Sequence, residues 1–157
     1  MSKAIYRISI TKERTQRAYC AGLIDGEGWI GLSRYYTQKN KKLSYVPQMT
    51  IAMTDRRPLE QLERTLGGHV IEHRIKLKSG KTKYSWTMTR RQMIKVLKLV
   101  MPYLYSKKEV AKLTLEYAQK VQKRAGMWKN GNIILTTKEI EKRTALFEQI
   151  QKLNNLS

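Results

Sequence analysis

The sequence predicts an α+β domain: one four-stranded antiparallel sheet with helices on a single face, followed by C-terminal helices. Three observations predict it. Two pairs of strand-like segments, each joined by a turn, are each followed by a helical segment. The strand-like segments alternate apolar with polar residues, so one side of the sheet needs a cover and the other does not. The last third of the chain carries apolar residues at helical spacing behind three capping patterns. The order is therefore α-β-β-α-β-β-α-α-α. A chain of 157 residues suits one domain, with a core at residues 12–125 and a helical extension at 126–157.

Residues 12–25 predict the first helix, with Thr11 as N-cap and Gly26 and Gly28 ending it. Residues 29–36 and 45–53 predict a hairpin across a lysine-rich turn at 37–42. Asp55 then predicts an N-cap, and Pro58 is tolerated in the first turn. Leu59, Leu62 and Leu66 give that helix its apolar face, and Gly67-Gly68 stops it. Residues 70–78 and 83–89 predict the second hairpin, turning at Ser79-Gly80-Lys81. Thr89-Arg-Arg-Gln92, Ser106-Lys-Lys-Glu109 and Thr136-Thr-Lys-Glu139 read as capping boxes. They open helices striped by Met93, Leu97 and Val100, by Val110, Leu113 and Tyr117, and by Leu146, Ile150 and Leu153, with Pro102 closing the first.

Alternation sorts the strands into two faces. Ile30, Leu32, Met49, Ile51, Ile71, Ile75, Leu77, Tyr84, Trp86 and Met88 fall on the apolar side. The other side takes Ser33, Tyr35, Gln48, Thr50, Glu72, Arg74, Lys76, Lys83, Ser85 and Thr87. Any half-exposed sheet alternates in this way, but cations and hydrogen-bonding side chains on one face favour nucleic acid. A β-ribbon is one of the shapes that enters a major groove. His69 and His73 lie near that face, as duplex-facing or exposed residues.

Charge supports the same partner. Lys and Arg number 32 against 12 Asp and Glu, a net charge of +20. A compact domain with this surplus repels itself, and a polyanion that releases counterions on binding relieves it. A basic RNA-binding or ribosomal protein would show the same balance. Cys20 is the one cysteine, which excludes a disulfide framework and a Cys-rich zinc site. No apolar run is long enough for a transmembrane helix, and the first residues show no secretory signal. The expectation is an intracellular protein of the cytoplasm or nucleoid, or of an organelle in a eukaryote, with no membrane partner.

The segment richest in chemistry is Ala18-Tyr-Cys-Ala-Gly-Leu-Ile-Asp-Gly-Glu-Gly28. Ala18, Ala21, Gly22, Asp25 and Gly26 recur at helical spacing as a stripe of little bulk. Glycine costs a helix interior about 1 kcal/mol against alanine, so the stripe implies that another backbone comes close. That backbone is either a second copy of the same helix across a two-fold axis or the chain's own sheet. Asp25 and Glu27 follow at the helix C-terminus, where partial negative charge disfavours carboxylates. A divalent cation would resolve the conflict, and so would solvation in a turn.

Ala21-Gly-Leu-Ile-Asp-Gly-Glu-Gly28 resembles the motif of the LAGLIDADG homing endonucleases, with Cys20 at the usual leading Leu. Ile51-Ala-Met-Thr-Asp-Arg-Arg-Pro-Leu59 with Leu66-Gly-Gly68 resembles that family's second strand and following helix. Pro102-Tyr-Leu-Tyr-Ser-Lys107 resembles its loop with a basic active-site residue. The likeness runs from residue 14 to residue 125. It implies a saddle-shaped αββαββα sheet. A single motif implies a homodimer that cuts a long, imperfectly palindromic DNA duplex once per strand, leaving short 3′ overhangs.

The resemblance further implies that Glu27 and the Gly26 carbonyl bind Mg²⁺, or Mn²⁺ or Ca²⁺ in the same place. It implies Lys107 and Arg56 as the cations of the active site, with Arg57 in reserve. Ala18, Ala21, Gly22 and Asp25 become the dimer interface, Asp25 in a capping or bridging role. Met53 stands where some relatives carry a water-positioning Gln, with Thr54 or Gln48 as replacements. The host intron RNA is a further partner the family admits. An intron maturase or a cleavage-inactive nucleic-acid binder of the same fold is the alternative reading.

Overall fold

The computed structural model describes residues 3–37, 42–74, 80–125 and 136–156. Helix α1 (Lys3–Glu27) leads directly into strand β1 (Gly28–Thr37), which pairs with β2 (Lys42–Met53). Helix α2 (Arg56–Leu66) precedes the shorter strands β3 (His69–Glu72) and β4 (Tyr84–Thr87). Helix α3 (Arg90–Val100), a 3₁₀ turn at Met101–Tyr103, α4 (Lys108–Ala125) and α5 (Thr137–Asn154) complete the chain. This is the expected order. The sheet runs β1-β2-β4-β3, antiparallel throughout. No helix among the described residues is long and apolar enough to cross a membrane.

Local chemistry places the boundaries. Nothing between Lys3 and Ala21 breaks a helix, so α1 begins well before the expected Thr11. Its other end is sharp. A Cβ on Gly28 would stand 2.5 Å from the carbonyl oxygen of Ile24, so only glycine lets the chain turn from helix to strand there. Asp55 caps α2 by accepting from Arg57 N at 3.0 Å, and Gly67 ends it at φ 79°. Thr89 and Gln92 form the expected capping box at α3. Thr136 accepts from Glu139 N at α5. Ser106 instead donates its hydroxyl to Asp25.

Ile30, Leu32, Tyr45, Met49, Ile51 and Trp86 bury one face of the sheet against Cys20, Ala21, Ile24, Leu59, Leu62, Val96, Leu97 and Ala111 from the helices. Trp86 is fully buried, and its indole N–H donates to Gly67 O at 2.9 Å. Tyr117 of α4 donates its hydroxyl to Tyr45 O at 3.0 Å. Helix α5 covers the outer edge of β1, where Asn154 Nδ2 donates to Ile30 O at 3.0 Å. An edge carbonyl is thereby closed to other strands.

The register corrects one strand. Val70 pairs with Trp86 and Glu72 with Tyr84, whereas Ile71 pairs with Ser85. Directly paired residues share a face, so Val70 and Glu72 lie on the helix side and Ile71 on the other. The expected phase of β3 was one residue out. Val70, not Ile71, answers the buried Trp86, and Ile71 stays 47% exposed. The alternating residues Ile75, Lys76, Leu77 and Lys78, and Ser79 of the turn, lie outside the described residues.

Candidate active site and nucleic-acid interface

The C-terminus of α1 and the loop before α4 meet through Asp25. Its carboxylate accepts from Tyr105 N at 2.6 Å, Ser106 Oγ at 3.2 Å and Lys107 N at 3.0 Å. These donors lie at the N-terminal end of α4, where partial positive charge favours an anion. Lys107 completes the exchange, because its ammonium donates to the main-chain carbonyl of Asp25. The expected clash of a carboxylate with a helix C-terminus is thus relieved within the chain. One helix end supplies donors to Asp25, and a lysine neutralises the other. Lys107 is only 8% exposed, which excludes an ordinary solvated lysine.

Gly26 and Glu27 remain outside that exchange. Both are exposed, and Glu27 forms no ion pair among the described residues. A Cβ on Gly26 would meet nothing within 4 Å. A carboxylate with the last carbonyls of a helix is a hard-oxygen donor set, which suits Mg²⁺, Mn²⁺ or Ca²⁺. It is also incomplete, since no three His, Cys, Asp or Glu residues gather as a metal site among the described residues.

Arg56 does not join this cluster. It pairs with Glu60 at 2.9 Å and lies over the Tyr84 ring at 5.8 Å. Arg57 closes on Asp55 at 2.7 Å, which holds that carboxyl below its usual range. Met53 lies opposite Tyr84 in the sheet. Because Gly28 pairs with Ile51, Glu27 stands at the end of the sheet where Ala52 and Met53 lie.

The stripe on α1 divides in two. Ala18, Gly22 and Gly26, spaced by four, are exposed, and a Cβ on Gly22 meets nothing within 4 Å. Ala21 is fully buried with Cys20 and Ile24 in the chain's own core, so it does not belong to the exposed ridge. Asp25 is half-buried and bound to the loop before α4. Burial pushes the Cys20 thiol above its ordinary value, with a hydrogen bond to Thr65 pulling the other way.

On the sheet, Ser33, Tyr35, Gln48, Thr50, Ser85 and Thr87 share the face away from the core, as expected. Ser33 Oγ donates to Gln48 Oε1 at 2.6 Å, and Gln48 Nε2 donates to the Tyr35 hydroxyl at 3.0 Å. Thr50 Oγ1 donates to Trp86 O at 3.0 Å. Glu72 is on the opposite face, as its pairing with Tyr84 requires. Arg74 and Lys83 flank β3 and β4 just outside the strands, and Lys76 lies outside the described residues. The face also holds Trp29, which polarity did not single out, and the expected His69. Trp29 pairs with Thr50, and His69 pairs with Thr87. His73 Nε2 lies 2.7 Å from Ser85 Oγ.

A family model described as LAGLIDADG endonuclease matches residues 20–119. No curated protein matches the chain. Among solved structures, the archaeal intron-encoded homing endonuclease I-Vdi141I complexed with DNA superimposes with TM-score 0.69 and 16% identity, over 90% of this chain and 85% of that one. The homing endonuclease I-CvuI, with the I-CreI target and Mg, gives TM-score 0.58 and 17% identity, over 89% and 97%. I-SmaMI bound to uncleaved DNA with calcium ions gives TM-score 0.64 and 21% identity, over 87% of this chain but 45% of that one.

Proposed function

The chain belongs to the LAGLIDADG endonuclease family, and on that premise we propose that it is a site-specific homing endonuclease acting as a homodimer. Two copies of α1 abut along Ala18, Gly22 and Gly26, and the paired sheets bind a long pseudo-palindromic duplex. One phosphodiester is hydrolysed in each strand, leaving short 3′ overhangs. The observation that carries this reading is the end of α1: an open ridge without side-chain bulk, terminating in an exposed carboxylate that forms no ion pair among the described residues.

Each protomer would hold a divalent cation through Glu27 and the Gly26 carbonyl, with DNA phosphates and the second protomer as the sources of further oxygens. Mg²⁺ is the expected ion, with Mn²⁺ and Ca²⁺ fitting the same oxygens. A bound cation supplies charge neutralisation at the phosphate and acidifies water at neutral pH. The Lys107 ammonium, held against the Asp25 carbonyl, brings a fixed positive charge to the phosphate backbone. Gly26, bare on its outer side, lets that backbone approach closely. Arg56 is the weaker candidate, being already engaged by Glu60.

Glu27→Gln tests the assignment. It keeps size and hydrogen bonding but loses the charge that binds the cation. Duplex binding, read by gel shift in Ca²⁺, should stay within about threefold, while Mg²⁺-dependent cutting should drop at least about a hundredfold, as removal of a principal charge-stabilising group does. Persistent cutting would move the catalytic carboxylate elsewhere.

A further inference from the structure

We propose that Gln48 reads an adenine in the major groove, held in its reading position by Ser33 and Tyr35. The inference rests on the sheet being the duplex-facing surface. A primary amide offers two N–H donors and two carbonyl lone pairs. Within the chain, Ser33 uses one lone pair at 2.6 Å and Tyr35 uses one N–H at 3.0 Å. One donor and one acceptor are left on the same amide. If the amide is turned over, the hydroxyls exchange roles and the same pair is left.

Adenine presents the matching pair in the major groove, the N7 acceptor beside the N6 amino donor. Guanine presents two acceptors, so the amide carbonyl would face O6 without a proton between them. Thymine offers one acceptor and a methyl group, and cytosine one donor. No other base edge uses both free positions of the amide.

Pinning gives this residue its weight. A free glutamine loses several rotatable bonds on binding, whereas Gln48 is already tied to two neighbours on β1. The network is not a buried structural one, since Tyr35 is 47% exposed and Gln48 is half-exposed. Other hydroxyls on this face are already engaged, Thr50 on the Trp86 carbonyl and Ser85 with the exposed His73. Gln48 keeps one donor and one acceptor on the two ends of a single planar amide, a spacing that a lone hydroxyl does not offer.

Base-preference profiling on randomised duplexes in Ca²⁺ tests this with the full-length protein, Gln48→Ala, Gln48→Glu and Tyr35→Phe. The unaltered chain should prefer A·T at one position in each half-site. Gln48→Ala should lower that preference by about tenfold and leave the other positions unchanged. Gln48→Glu, an acceptor alone, should shift the preference to cytosine, which donates from N4. Tyr35→Phe, which keeps the ring and so the packing, should loosen the preference without moving it. If Gln48→Ala has the same profile as the unaltered chain, or if the changed position prefers G·C, the inference fails and the endonuclease reading stands. If the unaltered chain shows no duplex preference at any position, both fail.

Discussion

Asp25 and Glu27 are two residues apart and have opposite surroundings. Asp25 receives three donors, two of them main-chain N–H groups at the start of α4, while Glu27 faces solvent. One acid therefore organises and the other is available. Asp25→Ala removes the acceptor for all three donors and frees the loop that carries Lys107. The expected cost is about 2 kcal/mol, since the main-chain donors regain water in this half-exposed place. Asp25→Asn keeps one acceptor oxygen and turns an amide N–H toward the donors, so it should fall between. Urea unfolding gives the stability, and single-turnover cutting tells whether Lys107 has moved. If Asp25→Ala cuts as fast as the unaltered chain, the Asp25 bridge is not what positions Lys107.

Between helix and strand, glycines with the same name have different duties. At Gly28 a Cβ would press on the Ile24 carbonyl, which is main chain and cannot swing aside. At Gly26, two residues earlier, it would meet open space. Gly28→Ala should thus lower stability by about 2 kcal/mol or more. Gly26→Ala should raise protomer stability by up to about 1 kcal/mol through helix propensity. Thermal melts of both variants at a concentration that keeps the protomers apart decide the point. Equal effects would mean that the α1–β1 joint does not depend on close approach. The same contrast explains what could be read from the residues alone. Capping residues, turn glycines and alternation announce an element because their causes are local, which is why the order, Thr89–Gln92, Asp55 and Gly67 were legible. The phase of β3 was not, because Val70-Ile-Glu72 can present either Val70 or Ile71 inward, and only pairing with Trp86 selects. Nor could spacing separate Ala21 from Gly22, since the neighbour that buries Ala21 comes from elsewhere in the chain. The contact of Lys107 with Asp25 spans 82 residues, beyond any local pattern.

Across the whole molecule, charge and pairing address the same partner. The hairpin connections leave the sheet at opposite ends, since Thr37 pairs with Lys42 at one end of β2 and Tyr84 with Met53 at the other. Lys39 and Lys41 belong to the first connection, and Arg74, Lys76, Lys78, Lys81 and Lys83 to the second. Between them the outward strand face carries hydroxyls and an amide beside Trp29, His69 and Ile71. On the proposed reading, cations of the two connections would grip phosphates while the strand face between them reads bases. On the proposed reading one protomer supplies one such surface and one Glu27, and cutting both strands would call for a second copy across α1. Gly22→Gln tests that need without disturbing the protomer. A Cβ there meets nothing, and glutamine is the better helix former by roughly 0.5 kcal/mol or more, so the isolated protomer should not be weakened. In a dimer whose helices touch at this ridge, the added bulk would force the two backbones apart. Sedimentation equilibrium should then show a dimer for the unaltered chain and a protomer for Gly22→Gln. Thermal stability should lose its dependence on protein concentration, and double-strand cutting should fall with it. A Gly22→Gln protein that still sediments as a dimer would place the two-fold contact on another surface. Glu27 would then have to find its remaining metal ligands without its own copy.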